Sequence, residues 1–231
     1  MAKHSKRYRE ALKLVDRTKS YPLPEAVKLL KQMPRSKFDE SVELAFKLGV
    51  DPKQSDQMVR GTVGLPHGSG KKVRILVFTK GNHEAAKTAG ADYVGFEDMV
   101  KKVAEGWADF DVAIATPETM GEVRKLGKVL GPRGLMPNPK TGTVTDDVAK
   151  AVKEFKAGRV EFKIDKAANL HVPFGKISFN EEQIIENARA VIEAVVKSRP
   201  PAAKGRYIHS CTLSATMSPG LRLDIKEFLG G

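Results

Sequence analysis

Apolar and polar residues alternate through residues 36–50, SKFDESVELAFKLGV. Apolar side chains recur at even-numbered positions, namely Phe38, Val42, Leu44, Phe46, Leu48 and Val50. A period of two predicts a strand with one buried and one solvated face, as in antiparallel sheets. The same pattern assigns Phe38 to the core.

The rest of the first third and the last third also mix helices with alternating strands. Pro24 suits the first turn of a helix in LPEAVKLLKQM, and Asn180 is the expected cap of the longest helix, SFNEEQIIENARAVIEAVVKSR. Near the start, a basic helix is expected to have an apolar stripe of Leu12, Leu14 and Val15. Further strands are expected in RGTVGLP, RVEFKID, NLHVPFG, GRYIHSCTLSATM and GLRLDI.

The middle of the chain has a different pattern. KVRILVFT and FDVAIAT are almost continuously apolar, as expected of strands that are covered on both faces. The helices between and after them include one expected over PETMGEVRKLGKVLG and one over TDDVAKAVKEFKAG, with Thr145 as its cap. Strands that alternate with helices predict a parallel α/β unit.

Two strand-rich α+β ends therefore flank an α/β insert. We expect the ends, residues 1–68 and 159–231, to fold together as one discontinuous domain, and residues 69–158 to form the inserted α/β domain. The chain then passes twice between the domains. Gly68, Gly70 and Gly158 lie where a two-stranded hinge would bend.

Charge narrows the class of partner. The 231 residues have a formal net charge of +12, which favours a polyanion such as nucleic acid, or an anionic membrane surface. The membrane is disfavoured, because no run of 18 apolar residues exists and the basic start lacks an apolar signal core. Residues 1–70 and 159–231 hold 25 Lys and Arg against 16 acids, and the middle holds 15 against 12, so the ends are expected to form the main anion-binding surface.

The usual signatures of enzymes are absent or weak. LPHGSGKK lacks the GxxxxGK(S/T) spacing of a phosphate loop, KGNHEAAKTAG lacks GxGxxG, and no histidine pair has the HExxH spacing of a zinc site. Asp109 and Asp111 suit a turn better than paired carboxylate chemistry. Cys211, on one strand face with His209, is expected to be a small core residue in a reducing, cytoplasmic protein. We expect no catalytic residue, cofactor or metal.

Two short stretches have the residue types that contact RNA. Lys37 precedes Phe38 at the head of a strand, where an aromatic ring can also stack on a base. At another strand end, SATMSPG, small and hydroxylated side chains allow close contact with sugars and phosphates, at Ser214, Thr216, Met217 and Ser218. Taken alone, this second stretch is better explained as an ordinary strand-to-turn junction.

Residues 131–142, GPRGLMPNPKTG, form a basic stretch rich in glycine and proline, without regular structure. The stretch is either a surface connection or a stiff arm that presents Arg133 and Lys140 to an anion.

Longer motifs now identify a family. DPKQSDQMVRGTVGLPHGSGK, AGADYVG, GWADFD, ATPETMG, GPRGLMPNPKTGTV and AGRVEF occur in order between KRYREA and TMSPG. In these motifs the chain resembles the L-one family of large-subunit ribosomal proteins. The resemblance implies an RNA-binding domain built from both termini, a hinge, and an inserted Rossmann-like domain.

The resemblance also implies partners. Family members grip a folded junction of large-subunit ribosomal RNA, form a mobile stalk beside the tRNA exit site with other ribosomal components, and follow the leaving tRNA. They can bind the leader of their own messenger RNA and repress its translation. The resemblance therefore implies that this protein is cytoplasmic, associated with the ribosome, and a monomer when it is free.

Family RNA-binding positions can be transferred to this chain. Lys37, Phe38 and Ser41 match the RNA-facing strand start. Thr216, Met217 and Ser218 match a threonine-methionine-glycine signature, in which Ser218 replaces the usual glycine. The same surface is expected to include Lys3, Lys6, Arg7, His171, Lys176 and Ser214. Arg133 and Lys140 would form a second RNA contact.

Two other functions remain open at this point. The protein could work mainly off the ribosome as a free translational repressor. A nucleotide-dependent enzyme using the middle domain is disfavoured by the missing phosphate loop.

Overall fold

A computed structural model of the chain describes residues 4–81 and 83–228, apart from the side chains of Lys140 and Glu227. The α-helices are α1 (Lys6–Lys13), α2 (Leu23–Gln32), α3 (His83–Thr88), α4 (Glu97–Ala104), α5 (Met120–Val123), α6 (Gly127–Leu130), α7 (Val148–Lys156) and α8 (Glu181–Lys197). The strands are β1 (Ser41–Leu48), β2 (Arg60–Gly64), β3 (Ile75–Phe78), β4 (Tyr93–Gly95), β5 (Val112–Ala115), β6 (Arg159–Lys163), β7 (Asn169–Lys176), β8 (Ile208–Ala215) and β9 (Leu221–Arg222).

The chain divides into two compact units. The terminal unit consists of the residues up to Gly70 together with those from Arg159 onward, and the middle unit is Lys71–Gly158. Each unit has its own hydrophobic core.

The main sheet of the terminal unit is antiparallel, in the order β7-β1-β8-β9. Along β1, buried side chains alternate with more exposed ones, which confirms the strand that the period of two predicts. Helices α2 and α8 share one core with the buried side chains of this sheet. A separate antiparallel pair, β2 and β6, also packs near α8.

The strand β1 begins later than the alternation suggested. Its first residue is Ser41, so Phe38 lies ahead of the sheet and is 54% exposed. The prediction that Phe38 belongs to the core is wrong, because the apolar-polar alternation in the sequence begins before Ser41, the first residue of β1 that pairs with another strand.

The middle unit is built on a three-stranded parallel sheet in the order β4-β3-β5. All four residues of β3 are buried, as the continuous apolar pattern predicts for a strand that is covered on both faces. One core cluster takes side chains from α4, α5 and α6, and the other from α3 and α7. The sequence pattern of strands alternating with helices is thus confirmed as a parallel α/β arrangement.

Of the two helix caps predicted from the sequence, one is confirmed and one needs correction. Asn180 caps α8 as expected and forms a capping box with Gln183. The cap of α7 is Asp147 and not Thr145, because the Asp147 carboxylate accepts from the Lys150 amide at 3.1 Å. Thr145 instead accepts from the Asp147 amide through its hydroxyl.

Two helix predictions need further correction. The helix expected over PETMGEVRKLGKVLG is interrupted, because α5 and α6 are separated by a 3-10 turn at Arg124–Leu126. Glycine is a poor helix former, and this stretch contains Gly121 and Gly127. In α1 the buried residue is Ala11, whereas Leu14 is 44% exposed. The predicted apolar stripe of Leu12, Leu14 and Val15 is therefore not the buried face of this helix.

A bulge changes the neighbourhood of Cys211. Lys47 pairs with Ser210 and Leu48 with Ile208, which leaves His209 as an extra residue on β8. His209 is exposed and Cys211 is buried. The prediction that the two share one face is wrong.

Candidate nucleic-acid interface

The start of β1 and the end of β8 bring two loops together. The first loop is residues 36–40, directly before β1, and the second loop is residues 216–218, directly after β8. Because the strands are antiparallel and Val42 pairs with Ala215, both loops lie at the same end of the sheet. The Thr216 amide donates to Ser41 O at 3.0 Å, and the Ser41 amide donates to Thr216 Oγ1 at 3.0 Å.

Glu40 lies between the two loops and is only 4% exposed. Its Oε1 accepts from the Ser36 amide at 2.8 Å, and its Oε2 accepts from the Met217 amide at 3.1 Å. Arg7 of α1 lies 3.8 Å from Oε1 and also donates to Ser36 Oγ. Burial by itself raises the pKa of Glu40, but the bonds from Ser36 and Met217 and the charge of Arg7 outweigh burial and hold this pKa below its ordinary value. The carboxylate is therefore charged at neutral pH.

Strand β7 supports the first loop from the other side. Lys176 pairs with Ser41 in the sheet, and its Nζ donates to Ser41 Oγ at 2.8 Å. Asp39 accepts from the Ser178 amide at 3.2 Å and from the Ser178 hydroxyl at 2.9 Å. The first loop is thus tied both to the second loop and to the segment that follows β7.

Two large apolar side chains on these loops face solvent. Phe38 is 54% exposed and Met217 is 50% exposed. The neighbouring Lys37 is exposed, and so is Lys6, next to the anchored Arg7. An exposed ring beside cations is suited to stacking on an unpaired base while the cations contact phosphates.

Ser218 uses its hydroxyl within the protein. Its Oγ accepts from the Ala215 amide at 2.8 Å and lies 3.1 Å from Pro219 O, to which it can donate. Ser218 is not among the described non-glycine residues with positive φ, so this backbone does not require glycine. The departure from the family signature therefore adds a local hydrogen bond at the end of β8.

The other residues expected at this surface are more widely spread. His171 is exposed and pairs with Ala45, roughly 16 Å along β7 from Lys176. Ser214 is partly exposed and pairs with Glu43. It lies two residues before the second loop, next to the pair formed by Val42 and Ala215. Lys3 lies outside the described residues. The structure thus groups most of the expected residues around the two loops and leaves His171 at a distance.

Sequence reasoning missed the residues that hold the loops in place. Ser36 accepts from Arg7 of α1, Asp39 accepts from Ser178, and Glu40 accepts from the Met217 amide. A signal for Glu40 did exist, because it occupies an even-numbered position in line with the buried residues of β1. A carboxylate at an inward position needs partners, which the sequence alone does not name.

The linker glycines have backbone conformations that favour glycine. Gly68, Gly70 and Gly158 have φ values of 68°, 69° and 107°. A Cβ atom at Gly70 would lie 2.7 Å from Lys176 Cγ and 3.1 Å from the Phe179 ring. Gly70 therefore packs closely against the side chain that donates to Ser41.

A buried amide anchors the chain just before this point. Asn187 of α8 is fully buried. Its Nδ2 donates to Gly68 O at 3.0 Å and to Phe174 O at 2.9 Å, and its Oδ1 accepts from the His67 amide at 3.1 Å. Residues 67 and 68 are thus held against α8 and β7.

The glycine- and proline-rich arm of the middle unit is more ordered than expected. It contains a 3-10 turn at Pro139–Thr141, and the Asn138 amide donates to Thr143 Oγ1 at 2.7 Å. Arg133 is exposed, whereas the side chain of Lys140 lies outside the described residues. The arm is therefore a loop with internal hydrogen bonds that presents Arg133 to solvent.

The residues tested for catalysis have structural partners. Asp111 accepts from Lys71 Nζ at 2.6 Å, and Asp109 pairs with Arg74. Burial raises the pKa of the Cys211 thiol far above its ordinary value. Within residues 4–81 and 83–228, no group of His, Cys, Asp and Glu side chains is arranged to hold a metal ion. No helix in these ranges combines the length and apolar character needed to span a membrane.

The chain matches both a family model and curated relatives. The model of the Ribosomal protein L1p/L10e family matches residues 29–219, a range that includes both loops. A curated relative, "Large ribosomal subunit protein uL1" of Kosmotoga olearia, is 59% identical over 225 residues. The alignment covers 97% of this chain and 97% of the relative.

Proposed function

The chain belongs to the Ribosomal protein L1p/L10e family, and from this premise we propose that it is a structural constituent of the large ribosomal subunit that binds large-subunit ribosomal RNA. It works in the cytoplasm as part of the ribosome, as a binding protein and not as an enzyme, and needs no cofactor. The relative from Kosmotoga olearia is named as a large-subunit protein, and its similarity extends over nearly the whole chain.

The pair of interlocked loops is the observation that best supports RNA binding. The loops expose Phe38 and Met217 on a backbone that is held by internal hydrogen bonds. A rigid surface loses little conformational entropy when it binds, so its contacts contribute more fully to affinity. The RNA is recognised by its shape, its sugars and an unpaired base that packs on Phe38 and Met217.

Cations around the loops supply the electrostatic part of binding. Lys6 and Lys37 contact phosphates, and His171, Lys176 and Ser214 extend the contact along the sheet. Such contacts release counterions and make affinity depend on salt. Packing on Phe38 and Met217 is less sensitive to salt, and it gives the preference for one folded RNA.

We further propose the finer role that the family resemblance suggests. The protein forms the mobile stalk beside the tRNA exit site and assists the release of deacylated tRNA. Residues 1–68 and 159–231 form the RNA-binding domain, and residues 69–158 form an inserted Rossmann-like domain. The hinge at Gly68, Gly70 and Gly158 lets this second domain move, and its arm, with Arg133 and Lys140, makes a second contact with ribosomal RNA or tRNA.

The same loops also serve a regulatory role in this proposal. The leader of the protein's own operon messenger RNA contains a fold similar to the ribosomal site, and the free, monomeric protein binds it and represses translation. Binding to the ribosomal fragment should compete with binding to the leader, since one surface takes both.

Titration of the purified protein with the stalk fragment of large-subunit ribosomal RNA tests the proposal. An unrelated duplex of equal length is the control, and both are measured at several salt concentrations. Tight binding to the fragment that persists at physiological salt, with weak binding to the duplex, is the expected result. Equal binding to both RNAs that disappears with salt would leave only nonspecific attraction to a basic surface.

A further inference from the structure

We infer that Glu40 is the positioning residue of the RNA-binding surface: its carboxylate joins the first and second loops and sets the geometry in which Phe38 and Met217 meet RNA. The inference rests on the proposed function, since the position of the loops matters for binding only if they contact RNA. Glu40 itself is 4% exposed and does not offer a contact surface.

A carboxylate at a surface that binds phosphates needs an explanation. Like charges repel, so a carboxylate placed near bound RNA weakens binding through the long-range field. Burial between the loops and a cationic neighbour, Arg7 at 3.8 Å, reduce this effect but do not make the charge useful to RNA. Its use lies in the bonds it accepts from the protein.

The two oxygens of Glu40 have separate tasks. Oε1 accepts from the Ser36 amide at 2.8 Å, which closes the first loop around Lys37 and Phe38. Oε2 accepts from the Met217 amide at 3.1 Å, in a segment 177 residues further along the chain. One side chain therefore sets the shape of the first loop and its position relative to the second.

The amide side chain of glutamine cannot do both tasks. A carboxylate has acceptor oxygens on both sides, whereas glutamine has one acceptor oxygen and one NH2 donor. In Glu40→Gln one of the two backbone amides faces a donor and loses its bond, and in Glu40→Ala both amides lose their bonds. Affinity for RNA should therefore be lower in Glu40→Gln than in wild type, and lower still in Glu40→Ala.

The net charge allows a sharp test, because charge and geometry predict opposite signs. Glu40→Gln and Glu25→Gln each remove one negative charge from the terminal unit, and Glu25 lies exposed on α2. If charge decides, both variants bind the stalk fragment slightly more tightly than wild type. If positioning decides, Glu25→Gln binds as wild type or slightly better, while the Kd of Glu40→Gln rises about tenfold and that of Glu40→Ala rises further.

Amide hydrogen exchange of the free proteins separates positioning from general loss of stability. In Glu40→Gln, exchange at the Ser36 or Met217 amide should accelerate, while the core amides of β1 and β8 keep their protection. The slope of log Kd against log salt should match that of wild type, because the same cations reach the same phosphates. Equal loss of protection in the core amides would mean that Glu40 supports the fold and not the site.

The outcomes also separate this inference from the proposed function. If wild type prefers the stalk fragment and Glu40→Gln binds it as tightly as Glu25→Gln does, the inference fails and the proposed function stands. If wild type shows no preference for the fragment over the duplex, both fail. Glu40→Gln decides the question even if Glu40→Ala does not fold.

Discussion

Ser41 and Thr216 hold each other through three hydrogen bonds: the Thr216 amide donates to Ser41 O at 3.0 Å, the Ser41 amide donates to Thr216 Oγ1 at 3.0 Å, and the Thr216 hydroxyl donates to Ser41 O at 3.3 Å. The residues are 175 positions apart in the chain. The pairing of β1 with β8 brings them together, so the geometry of the candidate interface depends on the register of these strands.

Replacing Thr216 should weaken RNA binding through the loss of its hydroxyl, which accepts from the Ser41 amide and donates to Ser41 O. Thr216→Val keeps the shape of the side chain but leaves the Ser41 amide without its oxygen partner, so we expect the Kd for the stalk fragment to rise about tenfold. Thr216→Ser keeps the oxygen and should bind close to wild type. Equal affinities of the valine and serine variants would show that the hydroxyl does not matter.

The exposed apolar side chains should matter for binding and not for stability. Met217 is 50% exposed and Met58, which precedes β2 and belongs to neither loop, is 43% exposed, so alanine at either position should change the free energy of unfolding by less than about 0.5 kcal/mol. Only Met217→Ala should weaken binding to the stalk fragment. Phe38→Ala should weaken it by about 1–3 kcal/mol, the range for a stacked base. If Met58→Ala weakens binding as much as Met217→Ala does, the assignment of the second loop is wrong.

Gly70 should be sensitive to alanine for two reasons. Gly70 and Gly205 have similar φ values of 69° and 74°, so alanine costs about 1–2 kcal/mol of backbone strain at either position. A Cβ atom at Gly70 also meets Lys176 Cγ at 2.7 Å, whereas nothing lies within 4 Å at Gly205. Displacement of Lys176 from Ser41 should make Gly70→Ala weaker in RNA binding than Gly205→Ala. Both variants are compared by urea unfolding and by titration with the fragment, and equal behaviour in both assays would argue against this contact.

Removing the buried amide of Asn187 should destabilise the terminal unit. Asn187→Ala leaves the His67 amide and the carbonyl groups of Gly68 and Phe174 without their partner, so we expect a loss of at least about 3 kcal/mol in the free energy of unfolding. Asn180→Ala removes an exposed helix cap and should cost about 1 kcal/mol. Urea denaturation compares the two, and a cost for Asn187→Ala no greater than for Asn180→Ala would contradict the anchoring role.

The Cys211 thiol should react only when the protein opens. Burial raises its pKa, so the folded protein holds almost no thiolate at pH 8. Raising the pH to 9 should therefore accelerate labelling only in molecules that have transiently unfolded and exposed the thiol. A cysteine at the exposed bulge position, His209→Cys in a Cys211→Ala background, should react rapidly. Labelling is followed with a chromogenic disulfide reagent, with and without urea. Rapid labelling of wild-type protein in buffer would mean that this part of β8 is accessible.

The sequence predicted most of the elements because their signals are local. The period of two in β1, the continuous apolar runs of β3 and β5 and the capping box at Asn180 depend on residues a few positions apart. Where neighbouring signals competed, the prediction failed: Asp147 replaced Thr145 as a cap, and a 3-10 turn between Gly121 and Gly127 divided one expected helix.

The residue types of the candidate interface were also visible, but not their arrangement. Lys37, Phe38, Thr216 and Met217 were found from composition at strand ends and from family resemblance. Glu40 was not found, because its partners are the amides of Ser36 and Met217, and any residue has such an amide. A backbone donor leaves no mark in the sequence.

The sequence by itself therefore determined most of the elements, the excess positive charge and the residue types available for RNA contact. The tertiary structure decided where β1 begins, which exposes Phe38, and where β8 bulges, which separates His209 from Cys211. It also decided that Ser41 meets Thr216 and that Glu40 joins the two loops. The physical reason is that strand pairing and the partners of a buried charge are set by segments far apart in the chain, whose approach local patterns do not encode.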